Sequence, residues 1–472
     1  MPDLPHNLKI EPYEYQKEGI LFGLEHQRLL IGDEPGLGKT LQAIGIVDCA
    51  DAYPCLVICP SSLKLNWQRE FSKFSDAKAL VLSDASRAWP YLLQSGFYQV
   101  AVVNYESLRK YFVWDIRGNR RSFRLKDVVL SDAVALFRSV IIDESHRVKD
   151  QSAQQTIFCR GLVEGKQWRI LLSGTPVVNR PSDLVSQLAI LGRLNDFGGK
   201  QQFLDLYNGD NADLSDLSLR LYKSCLIRRE KRKVLTQLPY KSRIDLLVDI
   251  SNRDEYDLAD YNLRQYLQQY TQCTDREIRR KMRLKALVRF MTLRSLSSIG
   301  KVNQAIDFIR TFLANGSPLI VFCSLHEIVD RLHHTFPHAV TLTGRNTLNE
   351  KQAAVDAFQQ GRAQLIICSI KAAGVGLTLT ASSNVAFVEF PWTYADCCQC
   401  EDRAHRIGQR DNVTCYYLIG RHTIDRTLYN IIYRKRSIAN QIMASDDEIP
   451  TDEMYFDQLT QLFLSEEINN QQ

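Results

Sequence analysis

The sequence predicts an α/β protein of two lobes, each built on a parallel sheet, with a helical region between them. Three observations predict it. Short apolar runs alternate with longer helical spacing in two separate series. Hydrophobic residues make up 45% and charged residues 24%, the balance of an ordinary globular chain. A length of 472 residues suits about two to four compact units.

The first series has apolar runs at Leu29–Ile31, Leu56–Cys59, Val100–Val103, Val140–Ile142 and Ile170–Leu172, separated by segments long enough for crossover helices. From about Leu194 to Gly300 the apolar runs give way to helical spacing. Leu263, Tyr266, Leu267 and Tyr270, at i, i+3, i+4 and i+7, form an apolar face that reads as packing beneath the lobes. The second series runs through Leu319–Cys323, Val340–Leu342, Leu365–Cys368, Val385–Phe390 and Val413–Leu418, with a helical pattern at Asn349–Gln360. The expected organisation is lobe 1 at 1–193, a helical and linking region at 194–300, lobe 2 at 301–445 and an acidic tail at 446–472. The tail holds eight acidic residues and no Lys or Arg, with helical spacing at Tyr455–Leu464 between solvated ends. The net charge of +5 therefore divides into +13 before Asp446 and −8 from there on, a basic body suited to a polyanion followed by an acidic arm.

Several classes are excluded at this stage. The longest uncharged stretch, Ala372–Val388, is broken by Gly, Thr, Ser and Asn, so it is not a membrane span. Met1-Pro2-Asp3 opens no secretory signal. Twelve Cys are too dilute for a disulfide scaffold, and reduced thiols in a cytosolic or nuclear compartment are expected. Cys397, Cys398 and Cys400 contain a C-x-x-C spacing, but without a second pair they read as packing cysteines instead of zinc ligands.

The chemistry concentrates in two places. Residues 32–40, G-D-E-P-G-L-G-K-T, follow one apolar run and precede a helical pattern, the context in which glycines turn backbone N–H groups toward an anion. There Gly36, Leu37, Gly38 and Lys39 would wrap the phosphates of a nucleotide, with the Thr40 hydroxyl on Mg²⁺; Asp33 stands where a strict phosphate loop has its first Gly. Asp143 and Glu144 directly follow Val140–Ile142, at the end of a buried strand where ligands of open α/β sheets gather. Asp143 suits Mg²⁺, and Glu144 is placed to orient and deprotonate an attacking water.

With these residues in place the chain resembles a helicase superfamily two motor, and within it the Swi/Snf-type ATPases. Residues 32–40 are similar to motif I, with Asp33 and Glu34 in its nucleotide-binding stretch, and Gln16 stands where that family reads adenine. I-C-P-S-S-L-K-L-N-W-Q-R-E at Ile58–Glu70 resembles motif Ia, and Asp143–His146 motif II. Leu172–Pro176 resembles motif III, and Leu226–Pro239 the inter-lobe linker signature. In the second lobe Val321–Ser324 resembles motif IV, Ala372–Thr380 motif V and Gln399–Gln409 motif VI. Asp143–His146 followed by Lys149, and Gly300-Lys301-Val302, point to the annealing, fork-remodelling branch.

The resemblance implies two RecA-like lobes, ATP and Mg²⁺, and translocation on double-stranded or branched DNA. It implies Arg403 and Arg406 as arginine fingers, and Gly376 and Gln399 as nucleotide contacts. Lys64, Asn66, Trp67, Asn104, Tyr105, Thr378 and Trp392 become the expected nucleic-acid contacts, with packing an equal reading for Trp67 and Trp392. The basic run Arg276–Arg294 reads either as a solvated helix face or as a duplex-holding one. A minimal motor of this kind suits a bacterial, phage or plasmid protein in the cytoplasm, with a nuclear remodeller as the alternative. Two other functions stay open: an RNA-directed unwinding enzyme, and a motor that displaces a bound protein such as RNA polymerase, docking through the acidic tail.

Overall fold

The computed structural model describes residues 8–86, 88–119, 123–174, 181–208, 213–235, 238–273, 275–373, 377–389, 391, 394–430, 460–461 and 463–464. They form two compact units that divide between residues 236 and 237.

The strands of the first unit are β1 (Arg28–Ile31), β2 (Cys55–Cys59), β3 (Ala79–Val81), β4 (Val100–Asn104), β5 (Val113–Ile116), β6 (Val128–Leu130), β7 (Ser139–Asp143), β8 (Trp168–Leu172) and β9 (Leu226–Ile227). Seven of them make one parallel sheet in the order β3-β4-β2-β7-β8-β1-β9. Runs such as C-L-V-I-C and V-A-V-V-N are buried along their whole length, as strands covered on both faces must be. The order makes β7, β8 and β1 neighbours, with Ile31 opposite Leu172 and Leu172 opposite Asp143. The segments leaving their C-terminal ends therefore emerge side by side.

Outside this sheet β5 and β6 pair antiparallel as a separate hairpin. Val113 faces Leu130 and Asp115 faces Val129, so Trp114 is an extra residue at a bulge. Phe123, between the two strands, stacks on Phe158 of the helix Gln154–Val163 at a centroid distance of 5.6 Å and ties the hairpin to the core.

The second unit has β10 (Lys241–Val248), β11 (Leu319–Cys323), β12 (Val340–Leu342), β13 (Leu365–Ser369), β14 (Asn384–Phe387) and β15 (Val413–Gly420), parallel in the order β10-β15-β14-β11-β13-β12. Alternate residues feed two cores. Ile320, Phe322, Ile366, Cys368 and Tyr417 face one, Leu319, Val321, Leu365, Ile367 and Leu418 the other. Cys397, Cys400 and Cys415 are packed in the first of these.

The stretch 194–300 differs from its helical reading in two places. β9 joins the edge of the first sheet, and β10 pairs with β15 along its full length. β10 escapes the search for apolar runs because K-S-R-I-D-L-L-V carries charges on a half-exposed edge strand. The helices do form. Leu263, Leu267 and Tyr270 of Arg253–Gln272 are buried together with Ala286, Phe290 and Leu293 of Arg276–Gly300, in a core shared with the second sheet. Of the basic run, Arg279 and Arg289 lie over Tyr270 and Tyr266, at 5.0 and 4.1 Å from the ring centroids, while Lys281 and Lys285 are exposed. Most of the acidic tail lies outside the described residues. Phe463 is buried against Phe290, and the Arg264 guanidinium covers its ring at 4.2 Å.

Candidate active site

At the shared edge of β1, β8 and β7, three short segments meet: Gly32–Lys39, Ser173-Gly174 and Asp143–His146. The first is a tight loop. Gly36 and Gly38 have φ of 92° and 76°, and a Cβ on Gly38 would come within 2.4 Å of the Gln16 amide nitrogen. The helix Lys39–Cys49 starts directly after Gly38, with no side-chain cap and no acidic residue in its first turn. Its leading N–H groups thus face the loop as an anion site. Tyr15 Oη and Gln16 Nε2 each donate to the Leu37 carbonyl at 3.1 Å, and Lys39 Nζ donates to the Asp33 carbonyl at 2.7 Å. Gln16, expected to read adenine, is buried and spends this donor on the loop.

Asp33 and Glu34 are turned toward the segment that follows β9. Asp33 is fully buried. Its carboxylate accepts from Arg229 Nε at 3.1 Å, from Arg229 Nη2 at 2.7 Å and from Gln42 Nε2 at 2.8 Å. Glu34 Oε2 accepts from the Lys231 backbone N–H at 2.8 Å. Both residues brace the phosphate loop against that segment.

Asp143 is held from three sides. Its Oδ2 accepts from Trp67 Nε1 at 2.9 Å, its Oδ1 from the Glu144 N–H at 2.9 Å, and its carbonyl from Tyr105 Oη at 2.6 Å. Burial first, and then the neighbouring Glu144 carboxylate, push its carboxyl up to about 7, against the opposing pull of the Trp67 N–H and Lys39. Glu144 takes φ 54° and ψ 50°, a left-handed conformation uncommon for a residue with a side chain. The turn aims its carboxylate at His146 Nδ1, 3.4 Å away, and the same ring nitrogen lies 3.2 Å from Ser173 Oγ. Gly174 closes the group, since a Cβ there would stand 2.9 Å from Pro35 and 3.6 Å from Lys39 Nζ.

The expected nucleic-acid residues divide. Lys64 and Asn66 are half-exposed near the start of the helix Lys64–Phe74. Trp67, on the same helix, is turned inward at 1% exposure, and Tyr105 is equally buried, because each donates to Asp143. Neither ring reaches the surface, so for these two the contact expectation gives way to support of the acidic pair. Asn104 is buried and donates to Glu106, which also receives Arg147.

In the second unit a helix spans Tyr394–Glu401, and a series of turns after it carries the arginines. Arg403 and Arg406 nevertheless converge. Each donates through Nη1 to the Leu377 carbonyl, at 3.3 and 2.9 Å. Gln409 Nε2 reaches the Thr380, Ser382 and Ala404 carbonyls, knitting the segment to Leu377–Ser382. Gln399 is buried and Thr378 half-buried. Gly376, Trp392, Thr175 and Pro176 lie outside the described residues.

Glu401 just before these arginines is fully buried. Arg243 grips it with two bonds of 2.6 Å, Lys241 lies 2.9 Å away, and Tyr417 Oη donates at 2.8 Å. Burial opposes its ionisation, but Lys241 and Arg243 outweigh that and hold the carboxyl below the usual carboxylate range. Sequence reasoning missed Arg229, Lys241 and Arg243, whose acidic partners lie more than a hundred positions away along the chain.

The donor set fits a nucleotide with a divalent cation: an uncapped helix start and Lys39 for phosphate oxygens, Thr40 and Asp143 for the metal. The chain matches the SNF2-related domain over residues 15–304 and the helicase conserved C-terminal domain over residues 300–408. It is 29% identical, over 93% of its length, to a Caenorhabditis elegans homologue of the SWI/SNF-related matrix-associated actin-dependent regulator of chromatin subfamily A-like protein 1, covering 63% of that protein. It is 30% identical to the human DNA annealing helicase and endonuclease ZRANB3, covering 93% of this chain and 41% of that one. An uncharacterized ATP-dependent helicase of Mycoplasma pneumoniae is 29% identical, with 92% and 42% covered. The chain thus spans roughly two to three fifths of the length of these relatives. Among solved structures, a Sulfolobus solfataricus SWI2/SNF2 ATPase core in complex with dsDNA is 22% identical with a TM-score of 0.44, covering 96% of this chain and 98% of that one.

Proposed function

The chain belongs to the SNF2-related family, and from that premise we propose that it is a DNA-stimulated ATPase that translocates on double-stranded DNA and remodels branched DNA or protein–DNA complexes. The observation that supports this most is the convergence, at one sheet edge, of the loop Gly32–Lys39, the pair Asp143 and Glu144, and Ser173-Gly174.

In this reading Lys39 and the first turn of its helix hold the β- and γ-phosphates, and Thr40 and Asp143 hold Mg²⁺. Mg²⁺ held there would supply positive charge against the negative charge developing on the phosphates. Glu144 orients the attacking water and accepts its proton, and His146 links Glu144 to Ser173. Arg403 and Arg406 are assigned the finger role, worth about 10³ to 10⁵ in rate. Lys64, Asn66 and Thr378 are assigned to the DNA backbone. Among the described residues no helix is long and apolar enough to cross a membrane.

The test is ATP turnover measured with duplex DNA, branched DNA, single strands and RNA in turn. Stimulation by duplex or branched DNA that falls with salt, with a slope of about −0.9 per phosphate contacted, is the expected outcome. Stimulation by RNA alone, or turnover indifferent to every polynucleotide, overturns the reading.

A further inference from the structure

Trp114 is 82% exposed, more than any other large apolar side chain among the described residues. Leaving an indole in water forgoes a large burial gain, so such a residue calls for a reason. Its backbone setting supplies half of one. Trp114 is the extra residue of the β5–β6 bulge, a device that bends a strand and re-aims a side chain. The hairpin beneath it is firmly seated: Ile116 and Phe123 are buried, Phe123 stacks on Phe158, and Leu125 and Leu130 press against Gly161. The ring is thus held out from a fixed base.

The charge around it supplies the other half. Between Asp115 and Asp127 there are five basic residues and no acidic one, of which Arg120 and Arg121 lie outside the described residues. Arg117, Arg124 and Lys126 are exposed, and none is ion-paired among the described residues. An exposed indole and exposed cations on one hairpin are suited to nucleic acid, whose phosphates take the cations and whose bases take the ring.

We propose that the β5–β6 hairpin is a binding site for an unpaired nucleobase, with Trp114 stacking on the base and Arg117, Arg124 and Lys126 holding the adjoining phosphates. Bases inside a duplex are already stacked on both faces, so the indole selects strands whose pairing has ended. The hairpin therefore distinguishes forked or single-stranded DNA from continuous duplex. This rests on the DNA reading given above and adds to it which DNA is preferred.

The experiment measures equilibrium binding of the full chain, at one fixed salt concentration, to a synthetic fork with a single-stranded arm and to a blunt duplex of the same sequence. Trp114→Ala is expected to weaken fork binding by about five- to a hundredfold, the effect of removing one aromatic partner from a stacked base, and blunt-duplex binding by less than about twofold. Trp114→Phe should restore most of the loss. Equal fork affinity in Trp114→Ala and the unaltered chain overturns the proposal and leaves the indole to a protein partner. If the unaltered chain binds neither DNA, the DNA reading itself fails and the hairpin site with it.

Discussion

The indole N–H of Trp67 donates to Oδ2 of Asp143 across 2.9 Å, joining the helix Lys64–Phe74 directly to the acidic pair. The bond favours the ionised carboxylate, which burial and Glu144 disfavour. Trp67→Phe keeps the packing and removes the donor. We expect the Asp143 carboxyl to rise further above about 7, so that Mg²⁺ must displace a proton over a wider pH range. Half-saturating Mg²⁺ for ATP turnover should increase about three- to tenfold near pH 7 and much less near pH 9. An unchanged Mg²⁺ requirement at both pH values would refute this link.

Asp143 also makes stability depend on pH without metal or nucleotide. Its folded carboxyl is raised from 3.8 to about 7, so the folded chain binds the proton more tightly than the unfolded chain does. Its contribution is therefore fully favourable below about pH 4, declines as pH rises toward 7 and is flat beyond. Asp143→Asn should then stabilise the Mg²⁺-free protein by up to about 4 kcal/mol at pH 8 and by less than about 1 kcal/mol at pH 4. Denaturant titrations at the two pH values give the comparison.

Lys39 and Glu144 should separate binding from chemistry. Lys39→Ala removes the cation at the phosphate loop and should abolish turnover together with most nucleotide affinity. Glu144→Gln keeps the shape and loses the base, so turnover should fall by at least about a hundredfold while a fluorescent ATP analogue still binds. Equal loss of nucleotide binding in both variants would sink this division.

Two buried carboxylates should be costly to strand. Arg229→Ala leaves Asp33 charged at zero exposure, and Arg243→Ala deprives Glu401 of its paired bonds. Each should cost about 3–5 kcal/mol in chemical denaturation. Arg229→Lys should recover part of the first loss, because a lysine restores charge without the forked geometry. Losses within experimental scatter would mean that water reaches these carboxylates.

The loops that carry the chemistry were legible in the sequence because they combine glycine geometry with charge at the ends of apolar strands. Gly36, Gly38 and Lys39, and Asp143 after V-I-I, are local patterns, and the fold places them on adjacent strands. What escaped was long-range. Nothing near Trp67 says that its indole meets a carboxylate 76 positions away, and nothing near Lys241 and Arg243 says that they meet Glu401. β10 was hidden for a related reason, since its Lys241 and Arg243 are satisfied by tertiary partners more than by solvent. Asp33 read as a phosphate contact because sequence shows adjacency to the loop and not the direction of the side chain.

The twelve thiols, all unbridged, make the two units separately observable. Cys55, Cys59, Cys159 and Cys225 are sealed in the first, and Cys323, Cys368, Cys397, Cys400 and Cys415 in the second, with burial pushing every one of these thiols above its ordinary acidity range. An alkylating reagent therefore meets them only when a unit opens, whereas Cys49, Cys273 and Cys398 stay within partial reach of solvent. Peptide-resolved labelling over time would serve as two independent clocks in one chain, one for each unit, and would show which of them nucleotide slows.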